Sequence, residues 1–481
     1  MSDNFSTRVI KSFLYSSAGN TFSKIINTIG LFVVLKLISP EAFGIASIVL
    51  AVFAVLQAVT ELGLGISIVQ ALEITKRELN SLFWLSSLIS GVLYFLIYIS
   101  APFIAVFYDQ PLITNLIRAH GIIIILFTLY FVPRNILKRG LKFKELTIID
   151  NVSLILSTII MVILAYYNFG AWAIIGGEIA NRVGQLILTQ FYSTFWPQFQ
   201  FNWPEIKSHV QFGLYATGSR LLYNLYSNAD YLIVGRMFGA EAVGIYTLAY
   251  RIVADTVKTI TSNFNEVAYP TFARLQNQVE RLRKYFFTIT KASLQINSLI
   301  LVVITIFIED LLLIGGYEEW IDAVPLIQIL AFVAILRTVS PIIPQLLNAQ
   351  GESRLNFYYS LSNAFIMPIA FFIGAQFSLI GVCISWLIGY PVVVSILFYY
   401  GGRLLELSFF EFVARIFSGI WFFPLLLLVG ASIHFLLNYI PLESTLIILV
   451  LGIASTAGLG LYALYASEKE TIKLLFNRAK S

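Results

Sequence analysis

The sequence predicts an all-α integral membrane protein, and three observations lead to that fold class. Of the 481 residues, 58% are hydrophobic and only 12% are charged, and the mean hydropathy is +0.83. Soluble proteins carry about 25% charged residues, so this chain has too few to cover a water-exposed surface. Apolar runs of roughly 20 residues, the length that crosses a bilayer as a helix, recur along the chain. This composition excludes a soluble enzyme, a nucleic-acid-binding protein and a secreted disulfide-linked domain.

Charged residues and Pro/Gly breaks divide the apolar sequence into about fourteen candidate transmembrane helices. Their predicted bounds are 13–38, 43–68, 81–107, 113–134, 149–167, 171–193, 210–237, 241–264, 286–308, 322–347, 356–376, 378–400, 412–437 and 443–466. The residues before the first helix are polar and lack a cleavage site of small residues, so we expect that helix to be retained rather than removed as a signal.

The distribution of Lys and Arg predicts the orientation of these helices. Basic residues occupy both tails and every second connection, whereas the alternate connections, such as 109–111 and 168–170, contain none. The largest of the cation-free connections, 309–320, is acidic. Cytoplasmic connections are enriched in Lys and Arg. We therefore predict that both termini are cytoplasmic.

An internal repeat relates two parts of the chain at a constant offset of 200 residues. Glu-Ala-Phe-Gly-Ile at 41–45 aligns with Glu-Ala-Val-Gly-Ile at 241–245. The same offset relates Leu14 to Leu214, Val34 to Val234 and Lys36 to Arg236. Both copies begin on the cytoplasmic side, which predicts parallel repeats. The predicted lobes are an N-lobe of spans one to six (1–195) and a C-lobe of spans seven to twelve (196–405), each a six-helix bundle, followed by two appended helices and a tail (406–481). Transporters with such repeats commonly bind substrate between the bundles, so the repeat favours a transporter.

Basic residues within the predicted helices indicate a binding site. A cation in the middle of a membrane costs roughly 3 kcal/mol on insertion scales, so it should face a partner or a water-filled cavity. The candidates are Lys24, Arg220, Arg251, Lys258 and Arg337. We predict a cationic cavity that holds an anion such as phosphate or pyrophosphate, which Arg can contact with two parallel hydrogen bonds. The alternative is that buried acids elsewhere pair with these cations.

Carboxylates within the helices are fewer. Asp230, Asp255 and Glu61 are candidates for carrying a coupling proton or sodium ion, and a counter-ion role is the alternative for the two aspartates. Glu61 precedes Gly63 and Gly65, where a loosened helix is expected.

Two further features of the sequence bear on its chemistry. Arg182 follows Glu178 by four residues, which favours an ion pair between them. The sequence contains no Walker loop, HExxH motif, paired-cysteine motif or nucleophile elbow, and its lone cysteine, Cys383, lies in an apolar stretch. We therefore expect no enzymatic activity, no metal and no cofactor other than a proton or sodium gradient.

The segment 228–246, NADYLIVGRMFGAEAVGIY, resembles the start of the second lobe in Wzx-type polysaccharide flippases. The similarity continues through LAYR at 248–251 and AYP at 268–270, and SPEAFG at 39–44 and LGLG at 62–65 resemble the first-lobe counterparts. These flippases belong to the multidrug/oligosaccharidyl-lipid/polysaccharide (MOP) exporter superfamily, and the branch of colanic-acid-type exporters is the most similar. The sequence resemblance covers about residues 10–290. Beyond that range, only the predicted order of transmembrane helices is similar.

The resemblance implies two six-helix bundles around a cavity that opens alternately to each side of the bacterial cytoplasmic membrane. It implies that the chain flips undecaprenyl-pyrophosphate-linked oligosaccharide to the outer leaflet, for export of capsule, exopolysaccharide or O-antigen. The five candidate cations would then neutralise the pyrophosphate. The polymerase and export machinery of the same pathway are implied partners.

Two other functions are weighed against this one. A multidrug exporter of the same superfamily that carried cationic drugs would need an acidic cavity, whereas the mid-span excess here is basic. A membrane polysaccharide polymerase or ligase would need a sizeable outer loop with Arg and His, whereas the outer connections are short and contain no Lys or Arg.

Overall fold

The structure, a computed structural model, describes residues 19, 22–61, 63–71, 73–418, 422–439, 446–447 and 449–462. Helices make up most of this part of the chain, and none of its residues lies in a β-strand, which confirms the predicted all-α fold. In order, the helices of these residues are α1 (Phe22–Leu35), α2 (Pro40–Glu61), α3 (Leu64–Gln70), α4 (Lys76–Phe107), α5 (Leu112–His120), α6 (Ile122–Arg139), α7 (Phe143–Tyr166), α8 (Ala171–Tyr192), α9 (Trp203–Arg274), α10 (Val279–Gly315), α11 (Ala323–Val339), α12 (Ile342–Ala349), α13 (Ser353–Ala375), α14 (Leu379–Leu404), α15 (Phe409–Phe417), α16 (Phe422–Tyr439) and α17 (Leu449–Tyr462).

The lengths and compositions of these helices are those of a multi-pass membrane protein. Within the described ranges, nine helical segments are long and apolar enough to cross a bilayer, and three shorter apolar helices lie in α1, α16 and α17. Each of the predicted spans overlaps at least one helix. The total of fourteen spans and the cytoplasmic position of both termini stay predictions.

Capping side chains determine where several helices begin. The Thr75 hydroxyl accepts a hydrogen bond from the backbone N–H of Glu78, and the Glu78 carboxylate accepts one from the N–H of Thr75 at 2.6 Å. Ser378 and Ser408 accept equivalent bonds at the starts of α14 and α15. Such caps satisfy backbone donors that a helix leaves unpaired, and each contributes about 1 kcal/mol.

Helix α9 contains both the seventh and the eighth predicted spans. Its backbone leaves helical geometry at Gly239, where φ is 84° and ψ is −178°. Glycine reaches this region readily because it has no Cβ, whereas other residues are strained there. The two predicted spans are therefore two helical segments joined at a single residue rather than by a loop.

The chain divides into two compact units, Met1–Gly244 and Ile245–Ser481. In the first unit, α7 and α8 form a hairpin whose close packing depends on small residues: the Ser157 hydroxyl donates to the carbonyl of Gly177 at 2.7 Å. In the second unit, α13 and α14 form a hairpin in which a Cβ on Gly374 would lie 2.3 Å from the carbonyl oxygen of Gly381. The predicted lobe boundaries at residues 195 and 405 stay a prediction.

Within the first unit, the two copies of the sequence repeat contact each other through their backbones. A Cβ added to Gly44 would lie 1.7 Å from the carbonyl oxygen of Ala240, and one added to Gly244 would lie 1.9 Å from that of Pro40. Shifting either pair by the repeat offset of 200 residues produces the other pair. We call these four residues the repeat contact.

Side chains close to the repeat contact tie α9 to α4 and to the turn that follows it. The Arg236 guanidinium lies 3.2 Å from the Asp109 carboxylate. The Tyr108 hydroxyl donates to the carbonyl of Leu232 at 3.4 Å, and burial raises the pKa of Tyr108 to about 12, so this hydroxyl keeps its proton. The first segment of α9 is thus fixed to the helices of the first unit.

Candidate functional site: a cationic cavity in the first unit

A cavity of about 480 Å³ lies within the first unit, between α2, α3, α6, α8 and the first segment of α9. Of the lining side chains that the structure describes, four are basic and none is acidic. The four are Arg134, Lys138, Arg182 and Arg220. Polar groups of neutral side chains, including Tyr130, Asn135 and Gln185, complete the polar part of the lining. The cavity can therefore attract an anion and hydrogen-bond its oxygens.

The break between α2 and α3 makes room for this cavity. Gly63 adopts a left-handed conformation with φ of 59°, which ends the helical path of α2 and confirms the loosening predicted there. A Cβ on Gly65 would lie 3.1 Å from the Asn135 side chain, so α3 packs closely on α6. The Arg139 guanidinium donates to the carbonyl oxygens of Ile68 and Ala71 at the end of α3, where helix carbonyls otherwise lack donors.

Arg182 is positioned by uncharged neighbours. Its Nη1 donates to Oε1 of Gln185 at 3.1 Å and to the hydroxyl of Tyr130 at 3.3 Å. The Tyr130 hydroxyl in turn donates to the same Gln185 oxygen at 2.9 Å. These two partners carry no charge, and they fix the orientation of the guanidinium. The predicted ion pair of Arg182 with Glu178 stays a prediction.

Arg134 is shared between an acid and the cavity. Its Nη2 lies 2.9 Å from each oxygen of Asp150. Its Nη1 is buried and has no hydrogen-bond partner among the residues that the structure describes. A buried donor without an acceptor is costly, about 1–3 kcal/mol and more when charged. This nitrogen therefore favours an incoming anionic oxygen.

The cations extend from the predicted cytoplasmic ends of the helices towards their middles. Lys138 is next to the last residue of α6, whereas Arg182 is ten residues, about 15 Å, from the end of α8 at Tyr192. A second cavity of about 160 Å³ shares Arg134 and Lys138 and adds polar side chains of α1 and α7, among them Ser23 and Asn151. The arrangement offers positive charge at more than one depth.

The structure places the predicted site residues of the first unit as follows. Arg220 lines the larger cavity. Lys24 is exposed on α1, one residue from Ser23, and lines neither of the two cavities. Asp230 is fully buried, and its Oδ1 accepts a hydrogen bond from the N–H of Tyr231 at 3.0 Å. Glu61 is the last residue of α2.

Three predicted cations lie in the second unit. Arg251 Nε is 3.7 Å from Asp255 Oδ2, which confirms that the two residues share a helix face, and Lys258 is exposed one turn further on. Arg337 donates to the Tyr250 hydroxyl at 2.6 Å. Arg251 thus has an acidic neighbour on its own helix.

Aromatic rings surround Arg337 on two sides. Its guanidinium carbon lies 4.6 Å from the ring centroid of Trp386 and 5.1 Å from that of Tyr250, which are cation–π distances. Trp386 is held in place by a hydrogen bond from its Nε1 to the Tyr246 hydroxyl at 3.0 Å. The binding roles proposed for these three cations stay predictions.

The sequence-based site lacks three of the cavity cations. The sequence alone puts Arg134 at the predicted cytoplasmic end of the fourth span, Lys138 in the connection that follows, and Arg182 in an ion pair. The four-residue spacing of Arg134 and Lys138 on one helix face is the signal that could have identified them.

Comparisons with known proteins agree with these features. A family model described as "Polysaccharide biosynthesis protein" matches residues 33–325. The teichuronic acid biosynthesis protein TuaB of Bacillus subtilis is 30% identical over 323 residues, covering 66% of this chain and 67% of TuaB. The lipopolysaccharide biosynthesis protein WzxC of Escherichia coli is 24% identical over 371 residues, covering 76% and 75%.

Two solved structures share the fold. The lipid II flippase MurJ in an inward closed conformation superposes with a TM-score of 0.71 at 14% identity, covering 94% of this chain and 99% of MurJ. An inward-facing multidrug resistance MATE family transporter of the MOP superfamily gives a TM-score of 0.63 at 16% identity, covering 79% and 94%. The chain therefore has the fold that these two proteins share, and the predicted all-α membrane fold class is confirmed.

Proposed function

Since the chain belongs to the polysaccharide biosynthesis protein family, we propose that it flips an undecaprenyl-pyrophosphate-linked oligosaccharide across the bacterial cytoplasmic membrane. Relatives named for teichuronic acid and lipopolysaccharide biosynthesis support a polysaccharide precursor as the cargo. The fold shared with a lipid II flippase supports a lipid-linked one. The chain then moves its substrate by alternating access and forms or breaks no bond in it.

The observation that carries this proposal is the cavity of the first unit with its four cations. A diphosphate head is a compact anion with several acceptor oxygens, which arginine forks match geometrically. The cavity volume of about 480 Å³ lies in the ordinary range of small-molecule sites, roughly 300–1,000 Å³. It therefore accommodates the diphosphate head, while the isoprenoid tail stays in lipid.

The positions of the cations along their helices suggest the side from which the head group of the substrate enters. Lys138 and Arg134 lie near the end of α6 that is predicted to be cytoplasmic, and they would meet the head group first. Arg182 and Arg220 lie further from the ends of α8 and α9, and they would receive it deeper in the membrane. Asp230 and Asp255 are the candidates for coupling this movement to a proton or sodium gradient. The polymerase of the same pathway would take up the flipped product at the outer leaflet.

Transport in proteoliposomes tests the proposal. Fluorescent undecaprenyl-pyrophosphate-linked saccharide is added from one side, and its appearance in the opposite leaflet is scored with and without a proton or sodium gradient. The triple variant R134A/R182A/R220A should flip it at least about tenfold more slowly, because each lost charged hydrogen bond weakens binding. The matched control is R415A, which removes an exposed arginine paired with Glu411 in the second unit.

Two results would contradict the proposal. One is a triple variant that transports at the wild-type rate while folded and present at the same level. The other is a wild-type protein that moves cationic dyes but no lipid-linked saccharide, which would favour the multidrug alternative.

A further inference from the structure

The ion pair between Arg134 and Asp150 suggests how the site releases its ligand, an inference that rests on the proposed function. We propose that Asp150 is an internal counter-ion that competes with the diphosphate of the substrate for Arg134 and so sets how readily the diphosphate leaves. Asp150 is then a positioning residue that acts on the substrate through Arg134.

Arg134 is oriented so that it can exchange one anion for another. It lines both cavities, whereas Asp150 is among the lining residues of the smaller cavity alone. One guanidinium nitrogen, Nη2, is occupied by both carboxylate oxygens at 2.9 Å. The other, Nη1, is buried and without a hydrogen-bond partner among the described residues. A phosphate oxygen can therefore bind Nη1 first and then displace the carboxylate from Nη2.

The two partners differ in how easily they tolerate separation. The side chain of Arg134 is 19% exposed, and that of Asp150 is 42% exposed. A half-exposed carboxylate can be hydrated by water when it loses its partner, whereas a largely buried guanidinium left alone is strongly unfavourable. Arg134 therefore needs an anion at all times. The substrate supplies that anion during transport, and Asp150 supplies it when the site is empty.

Asp150 also reaches Arg182 through Gln185. The Gln185 amide nitrogen lies 3.5 Å from Asp150 Oδ1, at the limit of a hydrogen bond. The amide oxygen of Gln185 accepts from Arg182 and from Tyr130. The carboxylate on one side and these donors on the other favour a single orientation of the amide. Asp150 thus influences two of the four cavity cations, one directly and one through a neutral side chain.

The competition has a measurable consequence. Asp150→Asn keeps the size and an acceptor oxygen of the side chain but removes the charge that competes with phosphate. Binding of a diphosphate should tighten by about tenfold, which is within the roughly 5–150-fold change in affinity that is usual when one binding event affects another. Transport should become slower at the same time, because the empty site no longer draws Arg134 away from the departing head group.

The experiment measures the Kd of inorganic pyrophosphate for the full-length protein in nanodiscs, at fixed ionic strength, together with flipping in proteoliposomes. The variants are D150N, D150S as a second neutral replacement, D150E, R134Q and the double variant R134Q/D150N. The matched control is E411Q, which neutralises a carboxylate 2.7 Å from an arginine on the surface of the second unit. Thermal unfolding is recorded for each variant, so that loss of the fold is recognised.

The expected result is a lower Kd and a lower flipping rate for D150N and D150S, with D150E and E411Q like the wild type. In the R134Q background, D150N should change the Kd little, because the residue that both anions share is gone. Folded D150N and D150S proteins that bind pyrophosphate no more tightly than the wild type would overturn this inference alone. A wild-type protein that fails to bind pyrophosphate would overturn the cavity as an anion site, and this inference with it.

Discussion

At the scale of single residues, two of the cavity arginines are oriented by the side chains around them. Arg182 donates hydrogen bonds to Tyr130 and Gln185. Arg134 pairs with Asp150 through Nη2, and its Nη1 has no hydrogen-bond partner among the residues that the structure describes. Guanidinium groups preorganised in this way lose little side-chain entropy when an anion binds. The planar geometry of arginine should therefore matter as much as its charge.

Arg182→Lys tests this importance of geometry. Lysine keeps the positive charge, but its single ammonium cannot reproduce the fork that faces Gln185, Tyr130 and the cavity. We expect the initial flipping rate in proteoliposomes to fall by about tenfold, the value of roughly one charge-assisted hydrogen bond. Arg415→Lys, at an exposed pair, should leave the rate unchanged. Full activity of Arg182→Lys would indicate that charge alone is required.

Sequence predicts only part of this site, for a physical reason. Hydropathy gives the approximate depth of a residue in the membrane, and spacing gives its helix face, so Arg220 and the shared face of Arg251 and Asp255 are predictable. Neither property says which helices are neighbours. Arg182 and Arg134 meet through Gln185 and Asp150 only because α6, α7 and α8 pack together. The set of residues that lines the cavity therefore becomes evident only in the structure.

At the scale of helices, the repeat contact is a place where no side chain can be added. The Cβ positions of Gly44 and Gly244 would overlap with carbonyl oxygens of the opposing copy. Backbone oxygens cannot move away by changing rotamer, so the two helix ends must separate when either glycine is replaced. The glycine of the repeated Glu-Ala-x-Gly sequence is thus explained by close backbone approach.

Substitution of these glycines should destabilise the fold. Gly44→Ala and Gly244→Ala should each lower the free energy of unfolding by about 1–3 kcal/mol, the usual effect of overpacking, and lower the Tm in detergent. Gly91→Ala is the matched control, because Gly91 lies within α4 and a Cβ there meets nothing within 4 Å. That control should raise stability by up to about 1 kcal/mol through helix propensity. Equal Tm values for the three variants would refute the steric explanation.

The sequence predicts the positions of the helices well and the breaks between them less well. Long apolar runs determine where a helix can lie, so every predicted span overlaps a helix of the described residues. The joints depend on single backbone conformations. The break at Gly63 is expected from neighbouring glycines, whereas the merging of two spans into α9 at Gly239 is not. Glycine permits such a conformation without showing in the sequence which one is adopted.

At the scale of the whole molecule, composition and motifs are sufficient for the fold class and the family. The low charge content predicts a membrane protein, and the residues around the second repeat predict a polysaccharide flippase of the MOP superfamily. The family match and the named relatives agree with a polysaccharide biosynthesis protein, and the shared fold agrees with a membrane protein. The sugar repeat is not encoded in any short motif, because its recognition depends on side chains that meet only after folding.

Cysteine labelling tests the predicted orientation. Cys383 is the lone cysteine of the sequence, so a background with Cys383→Ala has no thiol that a maleimide can modify. In that background, Glu319→Cys in the acidic connection should react with a membrane-impermeant maleimide added outside intact cells. Asn277→Cys, in the turn between α9 and α10, should react only after the membrane is opened, because basic connections face the cytoplasm. The reverse pattern would contradict the predicted topology.

The reciprocity of the repeat contact has a consequence for the origin of the chain. When two identical subunits meet across a two-fold axis, residue i of one touches residue j of the other, and j touches i in return. Pro40 with Gly244 and Gly44 with Ala240 keep that rule after conversion by the repeat offset. A gene duplication followed by fusion would leave such a reciprocal contact within a single polypeptide.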